Sequence, residues 1–404
     1  MKKFLMSLCA MLAMASSTFA TDTFSVDAVS LSNISSAPLV VRFSLDAGSD
    51  CSGYQFWIKL PQELEFVVDD LDIPVYAVGD SYKGNPSITP NIDGGYMKVA
   101  AYTAGSVPLT KQEGILVSFM VKVKSGATVT VGQTLTGHLT EGAISNEGGQ
   151  THSVADSDFT ITITDKVVLD ENYLMVPEAT SGNVNILVKR TILADQWSTI
   201  CLPFPMPADK LKAAFGDGYL LYYIDGYEKE TDTNGKVTSI TIDFKQNTKA
   251  AVANRPYIIK IGQKITEFEV NAKIVPVDDS KYSVTELDED LGEEIEICSM
   301  TGNLKAGKTV PAKSLFLSED KFWYSTGLTK MKAFRAYFTL NDVLDAYNQN
   351  SDAPVFINIG GETTRLEQLN IDYDDDNFYT LDGRVVKTPG KGVYIHRGKK
   401  IIIK

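Results

Sequence analysis

Tyr-Gln-Phe-Trp-Ile-Lys-Leu at residues 54–60 decides the fold class, because its apolar and polar side chains alternate with a period of two. That period is typical of a β-strand with one buried face, whereas a helix repeats about every 3.6 residues. The alternation recurs at residues 40–45, 115–123 and 159–164, and clusters of Gly, Asn, Asp, Ser and Pro separate these stretches. The spacing predicts a two-sheet β-sandwich over residues 21–165.

Residues 166–353 continue with the same period-two alternation, so the sequence predicts a second β-rich domain there. Strands are predicted at residues 184–188, 219–224, 240–244 and 257–261, with a hairpin turn at residues 232–235, Asp-Thr-Asn-Gly. One helix is predicted at residues 207–215, between Pro207 and Gly216, with Leu211, Ala214 and Phe215 facing the core. A second short helix is predicted at residues 341–347.

The first 20 residues have the features of a secretory signal peptide. Lys2 and Lys3 precede an apolar run at residues 4–15, which is too short to span a bilayer. Thr18 and Ala20 are the small residues of a signal-peptidase site, so we expect cleavage after Ala20. No later stretch is apolar for long enough to form a transmembrane helix. We therefore expect export, to the medium or to the outer surface of a Gram-negative cell.

Composition excludes several classes of protein. Apolar residues make up 44% of the 404 residues and charged residues 22%, which provides for a globular core. The net charge of -13 makes nucleic-acid binding a poor prospect. Cleavage leaves three cysteines, Cys51, Cys201 and Cys298, and an odd number excludes a full disulfide framework. Buried free thiols are the favoured interpretation.

Motifs for catalysis and metal binding are lacking. The sequence has no phosphate-binding Gly-rich loop, no His-Glu-x-x-His and no Gly-x-Ser-x-Gly. Its histidines lie on a predicted strand face (His138), in a polar loop (His152) and in the basic tail (His396). The Asp-rich stretch at residues 372–377 has the spacing of calcium ligands, but Gly383 stands where an EF-hand needs Glu. We therefore predict no catalytic residue, no metal and no cofactor.

Aromatic side chains provide the other route to function. Alternation places Tyr54, Phe56 and Ile58 in the core and leaves Trp57 on the outer face. Tyr76 and Tyr82 flank Gly79 and Asp80 in a predicted loop. Exposed rings bind sugar faces or partner proteins, so we predict that Trp57, Tyr76 and Tyr82 contact a ligand or partner.

Residues 21–165 resemble a cohesin-type module, which is related in fold to carbohydrate-binding modules of families 2 and 3. The resemblance is carried by residues 41–45, 53–66, 114–123 and 158–163. It implies a jelly-roll sandwich and a protein partner such as a dockerin. It does not assign contact residues, since one fold carries many ligands.

Two further resemblances concern the rest of the chain. Residues 190–192, 196–204, 254–260 and 332–338 resemble a β-rich module of surface and secreted proteins from anaerobic Gram-negative bacteria. Their apolar members are predicted to pack in the core: Trp197, Cys201, Leu202, Phe204, Phe334, Tyr337 and Phe338. Residues 379–386, 389–395 and 398–404 resemble the hairpin and last strands of type IX secretion sorting domains. We therefore expect a short C-terminal β-hairpin segment over residues 354–404 that directs export or attachment, although a terminal hairpin completing the middle domain would also fit.

These observations favour a mainly β, multidomain, non-enzymatic protein of the cell surface, in which the sandwich recognises a protein. The alternative is a carbohydrate-binding protein that holds polysaccharide on exposed aromatics of the same sandwich. Coplanar exposed rings would favour a glycan, and a flat polar sheet face would favour a protein. A glycoside hydrolase is the third possibility, and it requires two carboxylates about 5 to 10 Å apart in a cleft.

Overall fold

Strands make up most of the regular structure, and the expectation of a mainly β protein is confirmed. The computed structural model describes residues 22–46, 51–79, 87–103, 113–318, 320–340, 355–359, 362–365, 368–369, 378–380, 385–386, 392–396 and 399–403. The described residues contain one α-helix, α1 (Ala208–Phe215). The predicted signal peptide and the predicted helix at residues 341–347 lie outside them.

Two sheets form the sandwich at the N-terminal end. The five-stranded sheet contains β1 (Thr23–Val26), β3 (Leu39–Asp46), β5 (Leu64–Phe66), β6 (Tyr76–Val78) and β9 (Glu113–Val123). The seven-stranded sheet contains β2 (Val29–Ser32), β4 (Gly53–Lys59), β7 (Ser87–Asp93), β8 (Tyr96–Tyr102), β10 (Thr134–Ser145), β11 (Thr151–Val154) and β12 (Ser157–Thr164). Most neighbours are antiparallel, and β2 pairs with β12 in parallel.

Alternating side chains of both sheets fill the core between them. On β4, Tyr54, Phe56 and Ile58 are buried as predicted. The ring of Phe56 lies 5.9 Å from that of Phe43 on β3, and Phe43 also meets Phe159 edge-on at 6.0 Å. These contacts join opposite sheets, so the period-two pattern produces the sandwich directly.

The second region packs against the outer face of the five-stranded sheet. Its first strand is β13 (Lys166–Asp170), and a single residue separates it from the end of β12. Val40 and Met120 of the sandwich are buried in the same apolar cluster as Val167 and Leu169 of β13. Nearby, Arg42 donates a hydrogen bond to Asp170 at 2.6 Å. The sandwich and the second region therefore meet in one apolar cluster, beside the separate core between the two sheets.

Four sheets build the second region. The first contains β13, β14 (Val184–Ile192) and β19 (Ile265–Ala272). The second contains β15 (Ser198–Ile200), β16 (Leu220–Thr231), β17 (Val237–Gln246), β18 (Tyr257–Lys260), β27 (Val355–Ile359) and β28 (Glu362–Arg365). The third contains β20 (Lys281–Asp288), β21 (Glu293–Asn303), β23 (Leu315–Ser318), β24 (Lys321–Tyr324), β26 (Arg335–Leu340) and β29 (Gln368–Leu369). A two-stranded ribbon of β22 (Lys308–Thr309) and β25 (Lys330–Met331) completes it.

Helix α1 confirms the helix prediction. Gly216 adopts a positive φ of 85° and donates its backbone N–H to the carbonyl of Lys212 at 2.9 Å, which ends the helix. Leu211 and Phe215 are buried, and the ring of Phe215 lies 5.0 Å from that of Phe268 on β19. The predicted core residues from Trp197 to Phe338 are also buried.

Some of the strands after residue 354 form a sheet of their own, and others pair with strands of the second region. β30 (Phe378–Thr380), β31 (Val385–Val386), β32 (Gly392–His396) and β33 (Lys399–Ile403) form a four-stranded sheet. In contrast, β27 pairs with β17 in parallel and β29 pairs with β24. The boundary at residues 353/354 stays a prediction, but this pairing ties residues 355–359 and 368–369 to the second region.

A buried arginine connects the segments that carry the middle resemblance. The guanidinium of Arg190 on β14 is fully enclosed and donates to the carbonyls of Thr199 and Phe334. Burial and, secondarily, the charge of Arg335 lower the pKa of Arg190 well below its usual value. Phe334 is held in the left-handed region, with φ 63°, and donates its N–H to the carbonyl of Asn303 at 2.6 Å. We call these contacts the Arg190 network. They give the segments that carry the middle resemblance a structural role.

Glu171 should contribute to stability in a pH-dependent way. It accepts hydrogen bonds from Lys332 at 2.7 Å and Arg335 at 2.9 Å, on either side of Phe334. Burial raises the pKa of Glu171, but the hydrogen bond and charge of Lys332 and the charge of Arg335 outweigh it, so the pKa lies below its usual 4.5. A carboxyl whose pKa is lowered on folding stabilises the protein above its unfolded pKa, and loses that effect as the pH falls through the folded pKa.

We therefore expect Glu171→Gln to lower the free energy of unfolding by about 1 to 2 kcal/mol at pH 7 and by much less at pH 3. Urea unfolding of both proteins at the two pH values measures the difference. The exposed Glu228→Gln is the matched control and should change stability little at either pH. An equal loss for Glu171→Gln at both pH values would contradict the assignment.

Candidate functional site

Among the described residues, the outer face of the seven-stranded sheet is the open face of the sandwich, whereas the second region covers part of the five-stranded sheet. We call it the Trp57 face. Its outward side chains come from β4, β8, β10 and β12: Gln55, Trp57, Lys59, Tyr96, Lys98, Ala100, Tyr102, Thr134, Thr136, His138, Thr140, Asp158, Thr160 and Thr162. Strand alternation places all of them opposite the core.

Trp57 lies at the centre of this face and is half-buried by its neighbours. It is directly opposite Lys98 on β8 and Thr140 on β10. The ammonium of Lys98 lies 4.3 Å from the centre of the Trp57 ring, and the Tyr96 ring lies 5.6 Å away at 57°. Lys59 in turn lies 5.5 Å from the Tyr96 ring. The prediction that Trp57 points outward is therefore confirmed in position, while its role in binding stays a prediction.

Charges of both signs surround the aromatic cluster. Lys98 also bonds to Asp93 at 2.6 Å, and this hydrogen bond and charge lower the pKa of Asp93. His138 on β10 bonds through Nδ1 to Asp158 on β12 at 2.6 Å, and both side chains are exposed. Because these exposed pairs contribute little to stability, they are available to exchange partners with another surface.

Threonines give the rest of the face a hydrogen-bonding surface. Thr136 is opposite Thr160, and Thr134 is opposite Thr162, on the neighbouring strands β10 and β12. All four are exposed. These short side chains in cross-strand pairs present hydroxyl groups that can donate or accept hydrogen bonds.

The other two predicted contact residues are placed differently. Tyr76 lies on β6, rather than in a loop, and its ring packs 6.1 Å from that of Phe119 in the core. Pairing of β6 with β9 explains this, because it turns alternate side chains of this short segment inward. Tyr82 lies outside the described residues. Lys98 and Tyr96 were not predicted as contact residues, although alternation along residues 96–102 places both on the side of Trp57.

Titratable groups elsewhere take structural positions. Burial raises the pKa of the Cys51, Cys201 and Cys298 thiols to about 12, and all three cysteines are free. His152 lies on β11 rather than in a loop and pairs with the buried carboxylate of Asp22. No group of three or more His, Cys, Asp or Glu within the described ranges could hold a metal ion.

Two small cavities occur in the described structure. One is apolar and lies between α1 and β15–β18; the other lies where residues 34–37 meet β13. Each has a volume of about 10 Å³, which is the space of one water molecule. Neither cavity has the size of a substrate cleft.

Comparison with known proteins gives matches only among solved structures. No family model and no curated protein matches the chain. A non-cellulosomal cohesin from Archaeoglobus fulgidus aligns at 16% identity and a TM-score of 0.29, over 36% of this chain and 92% of that one. A cohesin of scaffoldin B from Acetivibrio cellulolyticus, solved with a dockerin, aligns at 14% and 0.29, over 36% and 99%. A type I cohesin–dockerin complex from Clostridium thermocellum aligns at 8% and 0.30, over 37% and 99%.

With TM-scores this low, the two sheets and their shared core remain the basis for the fold class. In the part of the chain that the structure describes, no helix combines the length and apolar character needed to cross a bilayer.

Proposed function

We propose that this chain is an exported, surface-associated binding protein without enzymatic activity, and that the Trp57 face recognises a partner protein. One observation carries the proposal: the open face is threonine-rich and mixed in charge, and its central Trp57 and Tyr96 rings are tilted by 57° to each other. Sugar binding favours coplanar exposed rings. A central aromatic surrounded by polar groups is instead the usual anatomy of a protein interface.

The rest of the chain supports this role. The signal-peptide-like leader would direct export, the second region would hold the sandwich as a rigid adaptor, and the C-terminal sheet would serve secretion or attachment. A dockerin-like partner fits the resemblance of residues 21–165 to cohesins, and any calcium would then belong to the partner.

The test is capture of a partner by the immobilised chain, residues 21–404, from proteins secreted by the source organism. Thr160→Arg places a large charged side chain on the Trp57 face, and we expect it to weaken capture at least about tenfold, which corresponds to about 1.4 kcal/mol. Thr191→Arg, at an exposed position on β14, is the control and should capture normally. Thermal melting checks that both variants fold.

Three results would decide the proposal. A protein retained by the wild type and by Thr191→Arg, but lost with Thr160→Arg, supports it, and loss on chelation supports a dockerin-like partner. Retention of polysaccharide instead of protein, weakened by Trp57→Ala, would favour the carbohydrate-binding alternative. Equal capture by both Arg variants would remove the Trp57 face from recognition.

A further inference from the structure

A second aromatic surface lies in the third sheet of the second region, away from the Trp57 face. Trp323 on β24, Phe316 on β23 and Tyr337 on β26 stand directly opposite one another across three neighbouring strands. We call them the Trp323 row. The rings of Phe316 and Trp323 are nearly parallel, at 11°, with centres 6.4 Å apart. This geometry differs from the tilted pair of the Trp57 face.

Neighbouring groups hold the Trp323 row in place and leave part of it open. The indole N–H of Trp323 donates to the carbonyl of Ser318 at 3.1 Å, which fixes the ring. Tyr337 is buried beside Val310 and Met331, while Phe316 and Trp323 are half-buried. Among the described residues, the two fixed, nearly parallel rings therefore keep part of their surface exposed.

The segment that carries this row is basic, in a chain whose net charge is -13. Residues 305–335 contain two acids, Glu319 and Asp320, and seven basic residues: Lys305, Lys308, Lys313, Lys321, Lys330, Lys332 and Arg335. Lys332 and Arg335 pair with Glu171. Lys305, Lys308 and Lys330 form no ion pair among the described residues. The ammonium of Lys308 lies 5.8 Å from the Tyr337 ring.

We propose that the Trp323 row binds an anionic polysaccharide. Phe316 and Trp323 stack against the C–H faces of sugar residues, because the faces of aromatic rings carry the negative end of their quadrupole. Lys308, beside the row, attracts the carboxylate or sulfate groups, and Lys305 and Lys330 add to the local positive potential. The site is independent of the Trp57 face, and either could exist without the other.

Affinity electrophoresis of the mature chain tests the proposal. Gels contain polygalacturonate, which supplies carboxylates, chondroitin sulfate, which also supplies sulfates, or neutral dextran; a single-stranded oligo-dT is the competitor. We expect retardation by at least one anionic polysaccharide and none by dextran. Trp323→Ala should weaken it about tenfold, since one of the two stacking rings is lost. The exposed Tyr102→Ala is the aromatic control and should bind normally.

If Trp323→Ala does not fold, a substitution that removes a positive charge tests the proposal instead. Lys308→Gln should weaken binding and reduce its dependence on salt, whereas the exposed Lys229→Gln should not. Absence of retardation by both anionic polysaccharides would overturn the proposal. So would unchanged binding by Trp323→Ala or Lys308→Gln, equal retardation by dextran, or complete displacement by oligo-dT.

Discussion

Arg190→Ala is expected to lower the free energy of unfolding by about 4 kcal/mol, the largest effect of any single substitution considered. The side chain is fully buried, so its removal leaves a cavity. The carbonyls of Thr199 and Phe334 also lose a charged donor in a place that water does not reach. The gain from no longer burying the guanidinium offsets only part of this loss.

Urea unfolding of the full chain, followed by circular dichroism, measures this effect. Lys229→Ala is the control, because Lys229 is exposed, and its effect should stay within about 0.5 kcal/mol. Arg190→Lys should fall between the two, because an ammonium keeps the charge but does not have the planar fork that reaches two carbonyls. A loss below about 1 kcal/mol for Arg190→Ala would show that the Arg190 network does not hold the second region together.

Gly302→Ala is expected to lower the free energy of unfolding by about 2 to 3 kcal/mol. Gly302 lies on β21, where the strand passes against Cys201. An added Cβ would lie 2.3 Å from the sulfur of Cys201 and 2.9 Å from its Cβ, so the two segments would have to separate. Because Cys201 follows β15 and donates its N–H to the carbonyl of Phe334, the strain would reach the Arg190 network.

Gly226→Ala is the matched control. Gly226 also lies within a strand, β16, but an added Cβ there would meet no atom within 4 Å. Its substitution should be neutral or slightly stabilising, since alanine restricts the unfolded chain more than glycine does. Equal effects of the two substitutions would mean that β21 and the Cys201 segment are not in close contact.

The sequence predicts best the strands in which apolar and polar side chains alternate, whereas strands without a buried residue, such as β7 and β20, were not predicted. On β14, the period that buries Ile186 and Val188 also places Arg190 inward, so its burial could have been inferred from the pattern. The groups that cover Arg190 could not be inferred, because Thr199 and Phe334 come from other segments of the chain. The parallel pairing of β17 with β27 joins residues more than 100 positions apart in the sequence. No local sequence pattern indicates such a pairing.

Only part of the candidate site was predicted, because a local pattern shows which face a side chain lies on but not which residues of other strands lie beside it. Alternation places Trp57 on the outer face, but it does not show that Lys98 and Tyr96 on another strand enclose it. Tyr76 was assigned to a loop because its strand has only three residues, too few for a period to appear. The Trp323 row depends on the register of three strands, which a sequence pattern does not fix.

The central claim is that the Trp57 face contacts a protein partner, and hydroxyl-radical footprinting of the complex with a captured partner tests it most directly. Oxidation of Trp57, Tyr96 and His138 should fall severalfold in the complex, because their side chains become covered. Trp323 and the exposed Leu287, which lie on other surfaces, should be oxidised as in the free chain. Unchanged oxidation of Trp57 and Tyr96, with protection elsewhere on the molecule, would contradict the account.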